Sequence, residues 1–583
     1  MRTTTLNEQT RSAALDAMSD DEGVDVLVIG GGVTGAGIAL DAATRGLRTA
    51  VVEMQDWASG TSSRSSKLVH GGLRYLYQLD FKLVHEALTE RGRLLRTTAP
   101  HLVTAQPFLW PLKTPVIERA YSAVGVGMYD VLSLLGARGR SVPLQKHYTK
   151  AGALKLFPQM NPKSLVGAIR YYDARVDDAR LVLALIRTAV GYGALAASRT
   201  QVTEMTKDPT GRVTGAVVVD LETGESRTVK ARHIINATGV WTEQTEALGG
   251  SGAGLEVLAS KGVHIVVPRE RINGSTGLFL RTEKSVLFVI PWDRYWIIGT
   301  TDTPWHEARQ HPVATREDID YILDHANAVL EPPIGHDDVI GVWAGLRPLL
   351  QPGTKGDASA STKVSREHTV TEAAPGLTVI AGGKLTTYRQ MAEDAVDFAL
   401  GPRAETLPSV TARTPLVGAD GFAATKRRRS QIAARYGWTS ERVEHLLHRY
   451  GSEIATLLEM IEADPALGRP LRTAEDYLAA EVAFAATHEG VLHLEDILLH
   501  RVRLSYETRD RGISALEEIA GIAGPILGWD AARTEREIAG YRRQAEAEMA
   551  AEHEPSDAAA EEARLRVEDL VPVRDLGPID PDD

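Results

Sequence analysis

Cysteine is absent from all 583 residues. That excludes disulfide frameworks, thiolate zinc sites, cysteine-held iron–sulfur clusters and a redox-active CxxC pair. Long apolar runs are missing too: no window approaches the roughly 18 uncharged residues that a spanning helix needs. Residues 1–22 are polar, without the apolar stretch of a signal peptide, and read as a flexible N-terminus of a cytoplasmic protein. Positive charge is scarce, with 65 Lys and Arg against 77 Asp and Glu, a net of −12 that argues against nucleic acid as a partner. Part of the acidic excess is local, because residues 551–583 hold eleven Asp and Glu against Arg564, Arg566 and Arg574. This end reads as a solvated acidic tail. No DxDxDG-type run with a closing Glu occurs, and no metal site is expected. What remains is ordinary globular composition, 43% hydrophobic and 24% charged, over a length that calls for two to four domains.

The first motif is a dinucleotide site. The apolar run Val24-Asp25-Val26-Leu27-Val28-Ile29 ends in Gly30-Gly31-Gly32-Val33-Thr34-Gly35, a helix-forming stretch follows, and a second apolar run closes at Glu53. Gly30 permits the tight turn, Gly32 lets a pyrophosphate approach, and Gly35 lets the helix pack on the sheet. Val33 and Thr34 open the helix, whose first N–H groups suit an anion. Glu53 is placed to accept hydrogen bonds from an adenosine ribose. Taken alone, this motif does not separate FAD from NAD.

Two further segments have related chemistry. The hydroxyl-rich stretch from Ser59 through Thr61, Ser62 and Ser66 to Lys67 and His70 can wrap phosphates beside a nucleotide. Ala237-Thr238-Gly239 ends an apolar run with small residues that allow close approach, and Gly383-Lys384-Leu385-Thr386 again joins a strand to a helix start. A helix N-terminus there can stabilise negative charge on a reduced ring.

The runs SSRSSKLVHGGLRYL, IPWDRYWIIGTTDT, AGLRPLL, AGGKLTTYR and LEDILLHRVRL resemble those of the FAD-dependent (quinone-linked) glycerol-3-phosphate dehydrogenases, from about Val24 to about Tyr541. The resemblance implies bound FAD, oxidation of glycerol 3-phosphate to dihydroxyacetone phosphate, and quinone as acceptor at the inner face of the plasma membrane. It also implies a substrate pocket lined by Arg74, Tyr75, Arg347, Arg366 and Lys384, with His70 near the flavin. Such a substrate is a phosphate dianion, which planar guanidinium groups grip well. His264, inside the apolar run Val263 to Val267, is the expected base for the hydroxyl proton. Arg347 and Lys384 could instead stabilise the alkoxide, leaving the proton to water, and Thr300 is a weaker pocket candidate. A glycerol-3-phosphate oxidase using oxygen and a non-catalytic flavin-binding scaffold are the rival readings.

The expected fold is α/β: a discontinuous Rossmann-like FAD domain (residues 23–95, 160–254 and 346–400), an antiparallel-sheet substrate domain (96–159 and 255–345) and an all-α C-terminal domain (401–550). Apolar residues at 120–136 and the basic run Lys426 to Arg429 are the candidates for peripheral membrane contact. Self-association into a homodimer is left open.

Overall fold

The structure is a computed structural model that describes residues 3–72, 80–114, 125–133, 141–250, 255–283, 286–351 and 368–575. Its first sheet runs in the order His368–Ala374, Leu377–Gly382, Ser226–Asn236, Val24–Ile29, Thr49–Val52, Leu195–Ala197. Four of the five pairings along this order are parallel. Parallel strands are buried on both faces and so read as continuous apolar runs. Val26 and Val28 face the helices Val33–Thr44, Asp178–Gly191 and Tyr388–Leu400, whereas Leu27 and Ile29 face the opposite core.

The second sheet is mixed and has ten strands. Its long element, Glu256–Pro268, pairs antiparallel with Tyr295–Gly299 on one side and Gly341–Gln351 on the other. Alternation along it sends Val263, Ile265 and Val267 into a core under the helix Arg316–Asn327, which leaves Gly262 and His264 for the other face. The chain from 422 to 565 is helical apart from the small hairpin Pro470–Leu471 and Ala474–Leu478, which departs from the all-α expectation.

Several expected boundaries move. Leu68–Val69 and Gly167–Arg175 belong to the second sheet, as does the whole of Gly341–Gln351, so the two sheets exchange chain more often than the motif positions suggest. The segment expected to be a flexible N-terminus holds a helix. Glu8–Met18 is a helix capped by Asn7 and Thr10, and it buries Ala14, Leu15 and Met18 on the first sheet. Average polarity hid that narrow apolar stripe. Nor is the C-terminal end wholly solvated, because Asp557–Leu565 forms a helix that buries Ala560 and Ala563. Of the expected membrane contacts, much of 120–136 lies outside the described residues. Lys426 and Arg429 both reach Glu444, at 3.4 and 3.5 Å, so they are not an unopposed basic patch. Among the described residues no helix is long and apolar enough to cross a membrane.

Candidate active site

A cleft of about 1340 Å³, counting the part open to solvent, runs along the ends of the first sheet's strands. Its walls include Gly30, Gly32, Val33, Thr34, Glu53, Thr61, Ser62, Ala237, Thr238, Gly239, Gly383, Lys384 and Leu385. Thirteen of the residues expected at the site therefore meet in one place. Local backbone geometry explains why. Gly30 has φ +110°, and a side chain there would press on the Ala237 carbonyl; one on Gly35 would strike the Gly30 carbonyl. Gly35 therefore packs the turn and does not line the cleft.

The helix Val33–Thr44 starts at this cleft with no side-chain cap and no acidic residue in its first turn. The Val33 N–H is met by Ser62 Oγ at 2.9 Å. A second helix start, at Leu385–Thr387 and Tyr388–Leu400, also lacks a side-chain cap and acidic first-turn residues, and its approach residues Gly383 and Lys384 line the same cleft. Two positive helix ends, glycine-narrowed walls and a carboxylate at the end of the second strand fit a dinucleotide pyrophosphate and its adenosine. The Glu53 carboxylate accepts the Gly31 N–H at 2.6 Å and the Gln55 N–H at 2.8 Å, which holds it at the rim.

A polar cluster adjoins the cleft across Gly341–Gln351. The Thr61 hydroxyl donates to the Leu346 carbonyl at 2.6 Å, and Pro348 lines the cleft beside Arg347. Arg347 donates to the Thr300 hydroxyl at 2.7 Å, the Thr301 carbonyl at 3.0 Å and Asp302 at 3.2 Å. Ser260 also binds Asp302. Two residues upstream of Gly262's partner in the ladder, Trp343 stacks on His264, with ring centroids 5.2 Å apart. His264 is 2% exposed; its Nε2 lies 2.8 Å from Ser66 Oγ, and its Nδ1 has no hydrogen-bond partner among the described residues. Burial, then the charges of Arg347 and Lys67, hold this imidazole well below the usual histidine range, so it is neutral near pH 7.

Other expected residues take different places. Lys67 does not reach the cleft: its ammonium is buried against Asp178 and the Ser63 carbonyl. Thr386 is also turned inward, where its hydroxyl accepts the His70 N–H and donates to the His70 carbonyl, both at 3.0 Å. That pins the hydroxyl-rich loop to the second helix start, and both residues position the walls rather than line them. Arg74, Tyr75 and Arg366 lie outside the described residues. Asp302, Ser260 and Trp343 escaped the sequence reading, as did the cleft residues Gln201, Trp241 and Val573 to Asp575. Only the TTDT run carried a local hint, for Asp302.

These features define an FAD-dependent oxidoreductase. Residues 25–389 match the family model described as "FAD dependent oxidoreductase", and residues 409–534 match "C-terminal domain of alpha-glycerophosphate oxidase". More narrowly, the chain belongs to the FAD-dependent glycerol-3-phosphate dehydrogenase family. It is 50% identical over 560 residues to glycerol-3-phosphate dehydrogenase 2 of Mycobacterium tuberculosis, covering 95% of this chain and 94% of that one. It is 37% identical to the human mitochondrial glycerol-3-phosphate dehydrogenase, across 91% of this chain and 74% of the human one. A solved glycerol-3-phosphate dehydrogenase from Bacillus halodurans, complexed with FAD, superposes with a TM-score of 0.73 at 29% identity, covering 94% of this chain and 98% of the other.

Proposed function

We propose that this protein oxidises sn-glycerol 3-phosphate to dihydroxyacetone phosphate and passes the electrons to a quinone at the membrane surface. The observation that carries the proposal is the polar cluster of Arg347, Thr300, His264 and Ser66 set against the dinucleotide cleft, in a chain half identical to named glycerol-3-phosphate dehydrogenases. When bound, FAD supplies the two-electron acceptor for the hydrogen lost from the alcohol carbon. Arg347 and Lys384 bind the phosphoester and steady the negative charge that grows on the alcohol oxygen. Arg74, Tyr75 and Arg366 complete that pocket in this reading, with Thr300 orienting Arg347. The neutral ring of His264 takes the hydroxyl proton, and Ser66 and Trp343 fix its plane. An incoming dianion raises the basicity of this buried imidazole, offsetting the two cations beside it.

Anaerobic mixing with substrate tests the proposal. Glycerol 3-phosphate should bleach the yellow protein, and unphosphorylated glycerol should do so far less efficiently. Equal efficiency, or no bleaching, would reject it. The C-terminal match to an oxidase domain supports a second reading in which oxygen is the acceptor. Peroxide yield in air measured against quinone reduction rate separates the two.

A further inference from the structure

The chain's own C-terminal segment arrives where the dinucleotide cleft ends. It is first anchored to the second sheet. Asp557, at the start of the helix Asp557–Leu565, pairs with the buried Lys261 on the strand that carries His264. Glu561 accepts the Ala308 N–H at 2.6 Å, and Asp569 meets His311 at 2.7 Å and Arg564 at 2.9 Å. Residues 570–575 have no regular structure, and they cross to the first sheet's domain.

There Gln201 clasps it. The Gln201 side chain accepts the Arg574 N–H at 2.8 Å and donates to the Arg574 carbonyl at 2.9 Å, while being only 3% exposed. Val573, Arg574 and Asp575 then form part of the cleft wall, next to Glu53, Thr200 and Gln201. The Thr200 N–H donates to the Glu53 carbonyl at 2.7 Å, so this wall is tied directly to the acidic end of the second strand. In a dinucleotide fold that strand end meets the adenosine ribose.

We propose that residues 570–575 are a strap that closes the adenosine end of the FAD cleft and governs how long FAD stays bound. Its far anchor lies on the second sheet and its near clasp on the first, so it spans the seam between the two units that shape the site. An extended segment held by the Gln201 side chain and by the Arg574 guanidinium, which donates to the Gly224 carbonyl at 3.4 Å, can open without disturbing either core, unlike the glycine turn and helix starts that also form the wall. The proposal rests on the cleft being the FAD site.

The test is the rate of FAD release from purified holoenzyme, followed by the rise in flavin fluorescence after dilution. One variant ends the chain at Pro572, which keeps the Asp557 and Asp569 contacts; the other is Gln201→Leu, which removes both clasping hydrogen bonds. Release should accelerate by about tenfold or more in each, the factor that 1.4 kcal/mol represents. Release within twofold of the unmodified protein in both would overturn the strap. Thermal melting by circular dichroism identifies a shortened chain that fails to fold, and Gln201→Leu then decides alone. A lower melting point with unchanged release would mean mere structural docking and would also overturn the proposal. Unmodified protein that binds no FAD would refute the cleft assignment, not the strap.

Discussion

His264 Nε2 and Ser66 Oγ stand 2.8 Å apart although 198 residues separate them in the chain. The contact joins the long strand of the second sheet to the hydroxyl-rich loop that walls the cleft. A buried, neutral imidazole held by one hydroxyl and one stacked indole is ready to take a proton and is poorly placed to turn away. His264→Ala should therefore lower turnover by about 10²–10⁴-fold, the usual span for a lost general base. KM should change far less. Stopped-flow flavin reduction reads this directly, and wild-type speed in the variant would remove His264 from the proton path.

Arg347 should behave differently, because it acts on both the bound substrate and the charge that develops during oxidation. Arg347→Ala is expected to raise KM and lower kcat together, costing kcat/KM about 10–150-fold, equivalent to 1.5–3 kcal/mol for a hydrogen bond to a charged group. Arg347→Lys should recover only part of this, since an ammonium cannot hold Thr300, Thr301 and Asp302 in the fork geometry seen here. Full recovery by lysine would mean that only a point charge is needed.

Glycine turns were legible in the sequence because their demands are local: Gly30 to Gly35 state a backbone path, whatever lies elsewhere. The cleft's far wall was not legible. Gln201 and Arg574 meet across 373 residues, and neither sits on a motif. The orientations of Lys67 and Thr386 were not legible for a related reason. Their motif marks the neighbourhood of the cofactor, but which way a side chain turns depends on distant partners, Asp178 for the first and the His70 backbone for the second. The N-terminal helix was lost to averaging, since three buried residues among eleven barely alter the local polarity.

The Lys67–Asp178 pair is open to a stability test. Both side chains are essentially inaccessible, at 1% and 0% exposure. Asp178 also takes the Ser65 N–H at 3.1 Å and hydroxyl at 2.7 Å, so it orders the loop that presents Ser66. Breaking a buried pair by removing one partner leaves an uncompensated charge, at a cost of about 3–5 kcal/mol. Lys67→Met should lower the urea midpoint accordingly. A loss below about 1 kcal/mol would show that the pair contributes little to holding the loop.

Two buried histidines set opposing limits on the pH range of stability. His101, 1% exposed, is held down at about 3 by burial and then by the charges of Arg180 and His448. Its ordinary value is 6.5, so below that pH the unfolded chain binds a proton that the folded chain refuses, and stability drops as pH falls towards 3. His493 behaves in the reverse sense. Burial alone would lower it, but hydrogen bonds to Glu222 at 2.8 Å and Glu537 at 2.9 Å push it up to about 10. Its contribution is complete below 6.5 and fades as pH rises through 10. Each group supplies a slope of at most about 1.4 kcal/mol per pH unit within its window. Urea unfolding should accordingly show greatest stability near neutrality, and His493→Gln should flatten the alkaline limb. The variant also touches the acid limb, because His493 holds the Glu222 and Glu537 carboxyls below their usual range. An alkaline limb unchanged in that variant would show that the bridge from Glu222 through His493 to Glu537 carries no net proton on folding.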